Sequence, residues 1–595
     1  MHKLLTQPLN SELIMKKKKS IKRELLEEGS FGDFRIAILG GSTTSEIKSI
    51  LELFLLDKGI KPSFYESEYN KWYEDSVFEN VELKAFKPQV IYIHTSFVDL
   101  LDLPQVKDSI VEVTALLEKE FSRFKTVWQY LHEQYNCIIV QNNFDMPFYR
   151  PYGNLDFSMV NGLTNYVNLL NASLVEYTQN HKNFYINDIN YLAAQIGLNK
   201  WYDRDFYHLY KFAMSYEAIP YVAYNLAAIM GATVGKSKKC LVLDLDNTLW
   251  GGVIGDDGLA GIQLGHETAV GESFVEFQKY VLALKNRGVI LAVCSKNDEE
   301  IAKSGFDHPD SLLKVNDFAA FVTNWEPKHL NLVKVAQEIN IGIDSLVFID
   351  DNPVERQIIR DNLPEVTVPE VEGGSPSSYV RALEDGKYFE QVVISADDLK
   401  RNQTYLENKQ RNDLEKSFVS YEDFLKSLQM KAEIKPFVPV YLDRITQLTN
   451  KTNQFNLTTK RYTRGEIEAI AGSPDYITLY GRLSDKFGDN GLVSVVIGKI
   501  KGTEMHLDLW LMSCRVLKRD FEFVMFNELL KYAKAKGVQE IFGYYYQTAK
   551  NAMVKEFYNE LGFKKIQEEP QGSCWEYSVD KNQHNKSVFI KINEA

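Results

Sequence analysis

Two pairs of carboxylates stand where apolar strands should end. Leu241-Val242-Leu243 runs into Asp244-Leu245-Asp246, and Leu346-Val347-Phe348-Ile349 runs into Asp350-Asp351. Packing does not explain them, because like charges at a desolvated strand end raise one another's pKa or demand a counter-ion. Carboxylates gathered at neighbouring strand ends form a hard-oxygen site suited to Mg2+ and phosphate. Zinc fits less well, since its imidazole and thiolate ligands are not clustered here. Between the two pairs, the run Val289-Ile290-Leu291-Ala292-Val293 leads into Cys294-Ser295-Lys296-Asn297, which offers a hydroxyl and backbone N–H groups to phosphate oxygens. Trp325-Glu326-Pro327-Lys328 then opens a predicted helix, with Pro327 suited to its first turn. A lysine there faces the positive end of the helix dipole at a cost of about 0.3–1 kcal/mol, offset if Lys328 balances the carboxylates. A phosphate facing an aspartate implies covalent catalysis, with Asp244 as nucleophile and Asp246 as the acid and base that protonates the leaving oxygen and then activates water.

These residues need a parallel sheet behind them, because ligands of open α/β sheets bind beyond the carboxyl ends of the strands. The runs starting at Leu241, Val289, Phe318 and Leu346 predict such a sheet. An earlier group, Arg35 to Leu39, Val90 to Ile93 and Ile138 to Val140, predicts a separate α/β domain. After the loop-like stretch Glu372-Gly373-Gly374-Ser375-Pro376-Ser377-Ser378 comes a charged, glycine-free segment from Ala396 to Leu428 that reads as one or two connecting helices. Strand-like runs at Tyr476, Gly491 and Glu504 then precede a helical Phe521 to Lys536, the pattern of an antiparallel α+β domain. The predicted division is residues 1–235, 236–390, 391–430 (a helical connector) and 431–595.

The series Asp244-x-Asp246-x-Thr248, Ser295, Lys328 and Asp350-Asp351 resembles, in order, the four motifs of the haloacid dehalogenase (HAD) superfamily of aspartyl-phosphate enzymes. The resemblance implies a Rossmann-like α/β domain in which the side chains of Asp244 and Asp350 and the backbone carbonyl of Asp246 hold Mg2+, with Asp351 nearby as an accessory acid. Thr248, Ser295, Asn297 and Lys328 would surround the phosphate. Asp244 and Ser295 are 51 residues apart and Ser295 and Lys328 are 33 apart, which leaves little room for a cap domain and predicts an open, capless site able to admit a macromolecule. Longer strings, Leu243 to Gly255, Cys294 to Asp298 and Phe348 to Arg356, look like the FkbH-like branch of subfamily IIIC. The likeness continues through Asp397-Asp398-Leu399-Lys400-Arg401-Asn402, Thr452-Asn453-Gln454-Phe455-Asn456 and Ser513-Cys514-Arg515-Val516-Leu517. That branch is associated with making glyceryl-acyl carrier protein from 1,3-bisphosphoglycerate, which implies a phosphorylated three-carbon acyl substrate and an acyl carrier protein as partner.

In the first domain, Ser42 follows a strand and Asp205-Phe206-Tyr207-His208 lies downstream, an arrangement that resembles SGNH-type esterases and their three-layer α/β fold. It implies a Ser42, Asp205 and His208 triad, with Asn142 or Asn143 as an oxyanion donor. The usual G-x-N-D string is absent, and the alternative is that Ser42 caps a helix while His208 packs. The C-terminal domain resembles GNAT acyltransferases, whose Q/R-x-x-G-x-G/A turn cradles the coenzyme A pyrophosphate at a helix N-terminus. Here Lys518 and Asp520 occupy the glycine positions, so coenzyme A, a bare phosphopantetheine arm and a carrier-docking role all stand open. Cys294, beside Ser295, is a candidate thiol for an acyl intermediate, against its reading as a small buried residue.

The chain has 595 residues, too many for one core, and its 45% hydrophobic and 25% charged composition excludes wholesale disorder. With 81 acidic against 68 basic residues, the net charge of −13 argues against nucleic acid as a partner. Five cysteines without a C-x-x-C pair, and no apolar run long enough to span a membrane, predict a cytoplasmic protein. Lys16 to Lys19 read as the solvated start of a helix. The expected activity is Mg2+-dependent phosphate chemistry linked to glyceryl transfer. The alternatives are a stand-alone phosphatase of small esters and a carrier-docking protein with vestigial centres.

Overall fold

The computed structural model describes residues 2–28, 32–371, 375–548, 550–579 and 589–593, so residues 372–374 of the predicted inter-domain loop lie outside the described residues. The chain forms two compact units, Met1–Lys236 and Ser237–Ala595.

The first unit is built on five parallel strands, β1 (Gly32–Gly40), β2 (Ile60–Glu66), β3 (Val90–His94), β4 (Ile138–Asn142) and β5 (Phe184–Asn187), in the order β2-β1-β3-β4-β5. Strands β3 and β4 are buried along their whole length, which is why they read as continuous apolar runs. The helix Ser11–Glu28 carries the lysine run.

In the second unit, β6 (Cys240–Leu243), β7 (Ile290–Ser295), β8 (Ala320–Thr323) and β9 (Leu346–Ile349) form a parallel sheet in the order β8-β7-β6-β9. Alternate residues feed two cores. Leu241, Leu243, Val293 and Ile349 face one, while Cys240, Val242, Ala292 and Phe348 face the other. Register pairs Leu243 with both Val293 and Ile349, so the ends of β6, β7 and β9 lie side by side. Between β6 and β7 stand only the helices Ile254–Gly261 and Ala269–Asn286, with no folded insertion over the strand ends.

The connector holds three helices rather than one or two: Ala396–Leu399, Arg401–Glu415 and Tyr421–Leu428. The second unit then continues into an eight-stranded mixed sheet of β10 (Met430–Lys435), β11 (Tyr476–Asp485), β12 (Gly488–Lys501), β13 (Glu504–Met512), β14 (Glu540–Tyr546), β15 (Lys564–Glu569), β16 (Gly572–Ser578) and β17 (Ile590–Ile592). Its pairs are antiparallel except β13 with β14 and β10 with β17. The helix Phe521–Ala535 packs Phe521, Met525, Phe526 and Leu529 into the core of this sheet. The expected α+β character is therefore present, with the parallel β13–β14 pair as an addition. No described helix is long and apolar enough to cross a membrane.

Candidate active site

Asp244 follows β6 and Asp350 follows β9, and the register of the two strands brings both carboxylates to one edge. Lys328 is the first residue of the helix Lys328–Ile339, with Pro327 as the residue that caps it. Its ammonium lies 2.9 Å from Asp244 Oδ1 and 2.6 Å from Asp350 Oδ2, with all three side chains almost wholly buried. Burial pulls the Lys328 ammonium down, but the charges of Asp244 and Asp350 and their hydrogen bonds outweigh it and hold the group firmly protonated. The unfavourable position at a helix N-terminus is thus offset by two ion pairs.

Asp350 is pushed up to about 7, first by burial and then by the Asp244 charge, against the pull of Lys328. Asp351 is raised for the same two leading reasons. Asp244, Asp350 and Asp351 each offer an oxygen within 4.8 Å of the others. An all-oxygen donor set in which Asp350 and Asp351 resist ionisation fits a small divalent cation, because a cation there would favour their charged forms.

Asp246 is turned to a different task. Its Oδ1 accepts from the Trp250 indole N–H at 2.9 Å and the Ile254 backbone N–H at 3.0 Å, and its Oδ2 accepts from the Asn297 amide at 3.0 Å. Burial still raises its pKa, a shift that suits the acid and base role expected of it. The loop that makes this possible is tightly folded. Asn247 adopts a left-handed conformation, its side chain accepts from the Gly252 N–H at 2.9 Å, and the Tyr379 hydroxyl donates to its carbonyl at 3.0 Å. Gly252 also needs φ +89°, and a Cβ there would meet the Asp257 carboxylate.

Ser295 ends β7 with its side chain buried beside this edge, and Thr248 is buried with no hydrogen-bond partner for its hydroxyl. Asn297, expected at the phosphate, donates to Asp246 Oδ2. Cys294, the candidate thiol, lies away from solvent. Its side chain is fully buried, its thiol points to the Lys328 carbonyl at 3.7 Å, and burial drives it far above the thiolate range, so it cannot serve as an accessible nucleophile. Sequence reasoning gave no role to Arg356, whose guanidinium donates to the carbonyls of Asp350 and Asp351 at 2.8 Å each and fixes the second acidic loop. It likewise missed Trp250 as the partner of Asp246. The arginine six residues after Asp350 and the indole four residues after Asp246 were visible, but nothing in the spacing said that they turn inward.

In the first unit no hydrogen bond joins Ser42, Asp205 and His208. Ser42 is buried with an unpartnered hydroxyl, while Asp205 and His208 are exposed on the helix Arg204–Tyr210. The helix end does reach the serine loop, since Thr43 donates to the Tyr210 and Lys211 carbonyls. Neither asparagine serves as a free oxyanion donor. Asn142 bonds Thr95 and accepts from Tyr92 and Asn187, and Asn143 donates to Asp188. In the C-terminal part, Lys518 and Asp520 have positive φ, +63° and +59°, which carries a conformational cost for residues with a side chain.

Comparison with known proteins agrees with this geometry. Residues 35–231 match the family model "FkbH, N-terminal domain". A crystal structure of the N-terminal part of the protein BF1531 from Bacteroides fragilis, containing a phosphatase domain complexed with Mg, is 32% identical at a TM-score of 0.59. It covers 64% of this chain, and this chain covers 99% of it. The ribosomal-protein-S18-alanine N-acetyltransferase of Escherichia coli matches 26% of this chain and is itself covered to 97%, at 12% identity and a TM-score of 0.21. PaiA N-acetyltransferase from Thermoplasma acidophilum, solved with coenzyme A, matches 25% of this chain and is covered to 99%, at 18% identity and a TM-score of 0.19. No curated protein matches the sequence. With the ordered acidic motifs converging on one sheet edge, and with a phosphatase-containing relative aligned over nearly its whole length, this chain belongs to the FkbH-like family of HAD-type proteins.

Proposed function

We propose that the chain is a Mg2+-dependent HAD-type enzyme that removes phosphate from a phosphorylated three-carbon acyl substrate, coupled to delivery of the glyceryl group to an acyl carrier protein. The observation that carries the phosphate chemistry is the shared contact of Lys328 with Asp244 and Asp350 beside Asp351. When bound by Asp244, Asp350 and Asp351, Mg2+ would neutralise the carboxylates and polarise a phosphoryl oxygen. Asp244 attacks phosphorus, and the bond to the leaving oxygen breaks as Asp246 delivers its proton. Water then attacks the aspartyl phosphate, gives a proton to Asp246 and releases phosphate, which restores Asp244. Lys328 holds the charge of the transferring group throughout. The open strand edge, without a folded insertion between β6 and β7, supports a substrate presented on a protein-bound arm. In the coupled step the carrier thiol attacks the acyl carbon of an acyl phosphate, a C–S bond forms, and phosphate leaves.

The test incubates the protein with 1,3-bisphosphoglycerate, Mg2+ and a phosphopantetheinylated carrier protein and reads the carrier by intact mass spectrometry. A glyceryl adduct is expected, and no adduct on any cognate carrier would refute the transfer. A simple phosphatase of small esters is the second reading, supported by the phosphatase domain of the Bacteroides relative. It predicts phosphate release without any carrier.

A further inference from the structure

The opposite edge of the HAD sheet carries a second concentration of charge, and there the sign is reversed. Lys239 precedes β6 while Asp244 follows it, so the two lie about 16 Å apart along the strand. Arg401 from the connector, Arg444 and Lys451 from the helix Leu442–Lys451, and Arg515 from the turn after β13 form with Lys239 a run of neighbouring cations. Lys239 Nζ donates to the Lys451 carbonyl at 3.4 Å, and the charges of Arg401, Arg444 and Lys239 all act on Lys451. Arg515 acts on Arg444.

Two carboxylates pair with cations of this group. Asp398 Oδ1 serves Arg401 and, at 3.8 Å, Lys451, while its Oδ2 accepts from the Ser395 hydroxyl at 2.7 Å and the Gln447 amide at 2.8 Å. Asp397 pairs with Arg444 at 2.8 Å. A third acid, Asp344, whose charge acts on Lys239, pairs with Lys550. Lys239 and Arg515 have no carboxylate within ion-pair distance among the described residues, and the Arg515 Nε–H donates only to the Ser513 hydroxyl, at 3.2 Å. A local excess of positive charge is therefore held in place inside a chain whose overall charge is −13. Burial first, and then the neighbouring arginines, pull the Lys451 ammonium down to about 7, the response of a cation group short of anions. The surfaces that meet here include the strings 397–402, 452–456 and 513–517, which the aspartate centre does not use.

We propose that Lys239, Arg401, Arg444, Lys451 and Arg515 form a second anion site that binds the phosphate of a phosphate ester, separate from the aspartate centre. Guanidinium and ammonium donors converging from four chain segments suit a phosphate, which accepts several charge-assisted hydrogen bonds at once. Two ligands of the proposed reaction share that chemistry, the phosphodiester of a pantetheine arm and the phosphomonoester of a three-carbon acid. Cys514, partly exposed and next to Arg515 in the chain, reports on occupancy.

The test uses the full chain as Asp244→Asn with chelator present, so that the aspartate centre and its metal do not contribute. Binding of inorganic phosphate, phosphopantetheine and 3-phosphoglycerate is measured by titration calorimetry. Saturable binding of at least one phosphate ester is expected, weakened roughly tenfold or more in Lys451→Gln and in Arg515→Gln and recovered in Lys451→Arg. In the chain with these cations intact, the ligand should also slow alkylation of Cys514, read by peptide mass mapping, while leaving Cys574 unaffected. The tighter of the two esters identifies the source. No binding, equal binding in all variants, or a loss confined to the unfolding midpoint with Cys514 unprotected would overturn the site and leave a purely structural interface. Because the readout needs neither turnover nor carrier, failure of the proposed reaction leaves this outcome unaffected, and the reverse holds as well.

Discussion

Lys328 Nζ stands between two aspartates from different strands, 2.9 Å from Asp244 Oδ1 and 2.6 Å from Asp350 Oδ2. One ammonium thereby pairs with the proposed nucleophile and a metal-ligand candidate at once. Lys328→Met removes that charge while keeping most of the volume, and hydrolysis of para-nitrophenyl phosphate should fall by about 10²–10³-fold in kcat. Retained turnover would show that the lysine is structural.

Asp244→Asn and Asp246→Asn should fail differently. The first removes the nucleophile, so neither turnover nor a phosphoenzyme should be detected by intact mass under acid quench. The second leaves the nucleophile and slows proton transfer by about 10²–10⁴-fold. Equal residual rates in the two variants would contradict the division of roles.

The Trp250 indole and the Ile254 N–H both bond Asp246 Oδ1 and oppose the effect of burial. Trp250→Phe deletes one donor to the charged form, so the carboxyl should move further up. The limb of the kcat–pH profile that reports Asp246 should shift to higher pH by a measurable fraction of a unit. An unshifted profile would separate Asp246 from the observed limb.

The three carboxylates at the β6 and β9 ends predict a metal-linked stability. A ligand present at 100 times its Kd stabilises the folded state by about 2.7 kcal/mol, so Mg2+ should raise the unfolding midpoint of the second unit. Asp351→Asn should weaken that response, and chelation should abolish it. A midpoint indifferent to Mg2+ would count against the site.

Asp99, in the first unit, is pushed up to about 7 by burial, with the charge of Asp145 adding to the effect and the Ser96 N–H, 2.8 Å away, opposing it. The folded form therefore holds this proton more tightly than the unfolded chain. The contribution is fully present below about pH 4 and is lost as pH rises through 7. Asp99→Asn should flatten the fall in stability of the first unit over that window, read from unfolding midpoints at stepped pH. A fall as steep as in the unsubstituted chain would assign it to other groups.

The sequence by itself marked the acidic strand ends and the residues around them. Asp244, Asp246, Ser295, Lys328, Asp350 and Asp351 were legible because charged residues at the ends of apolar runs have no packing explanation, and strand β6 was legible because a strand buried on both faces is continuously apolar. The separate N-terminal unit was readable from the same kind of run, although β2 and β5 were not. Strand β2 alternates in burial and β5 is buried only at its two ends, too weak a pattern to stand out. Tertiary structure alone decided which polar groups meet. It turned Asn297 and Trp250 toward Asp246, buried the Cys294 thiol, left Asp205 and His208 exposed and unbonded to Ser42, and brought Lys239 and Lys451 together. The reason is physical. Burial and strand ends are written in local hydrophobic pattern, whereas a hydrogen bond or a charge excess between residues far apart in the chain exists only once the packing of the sheets has fixed their distance.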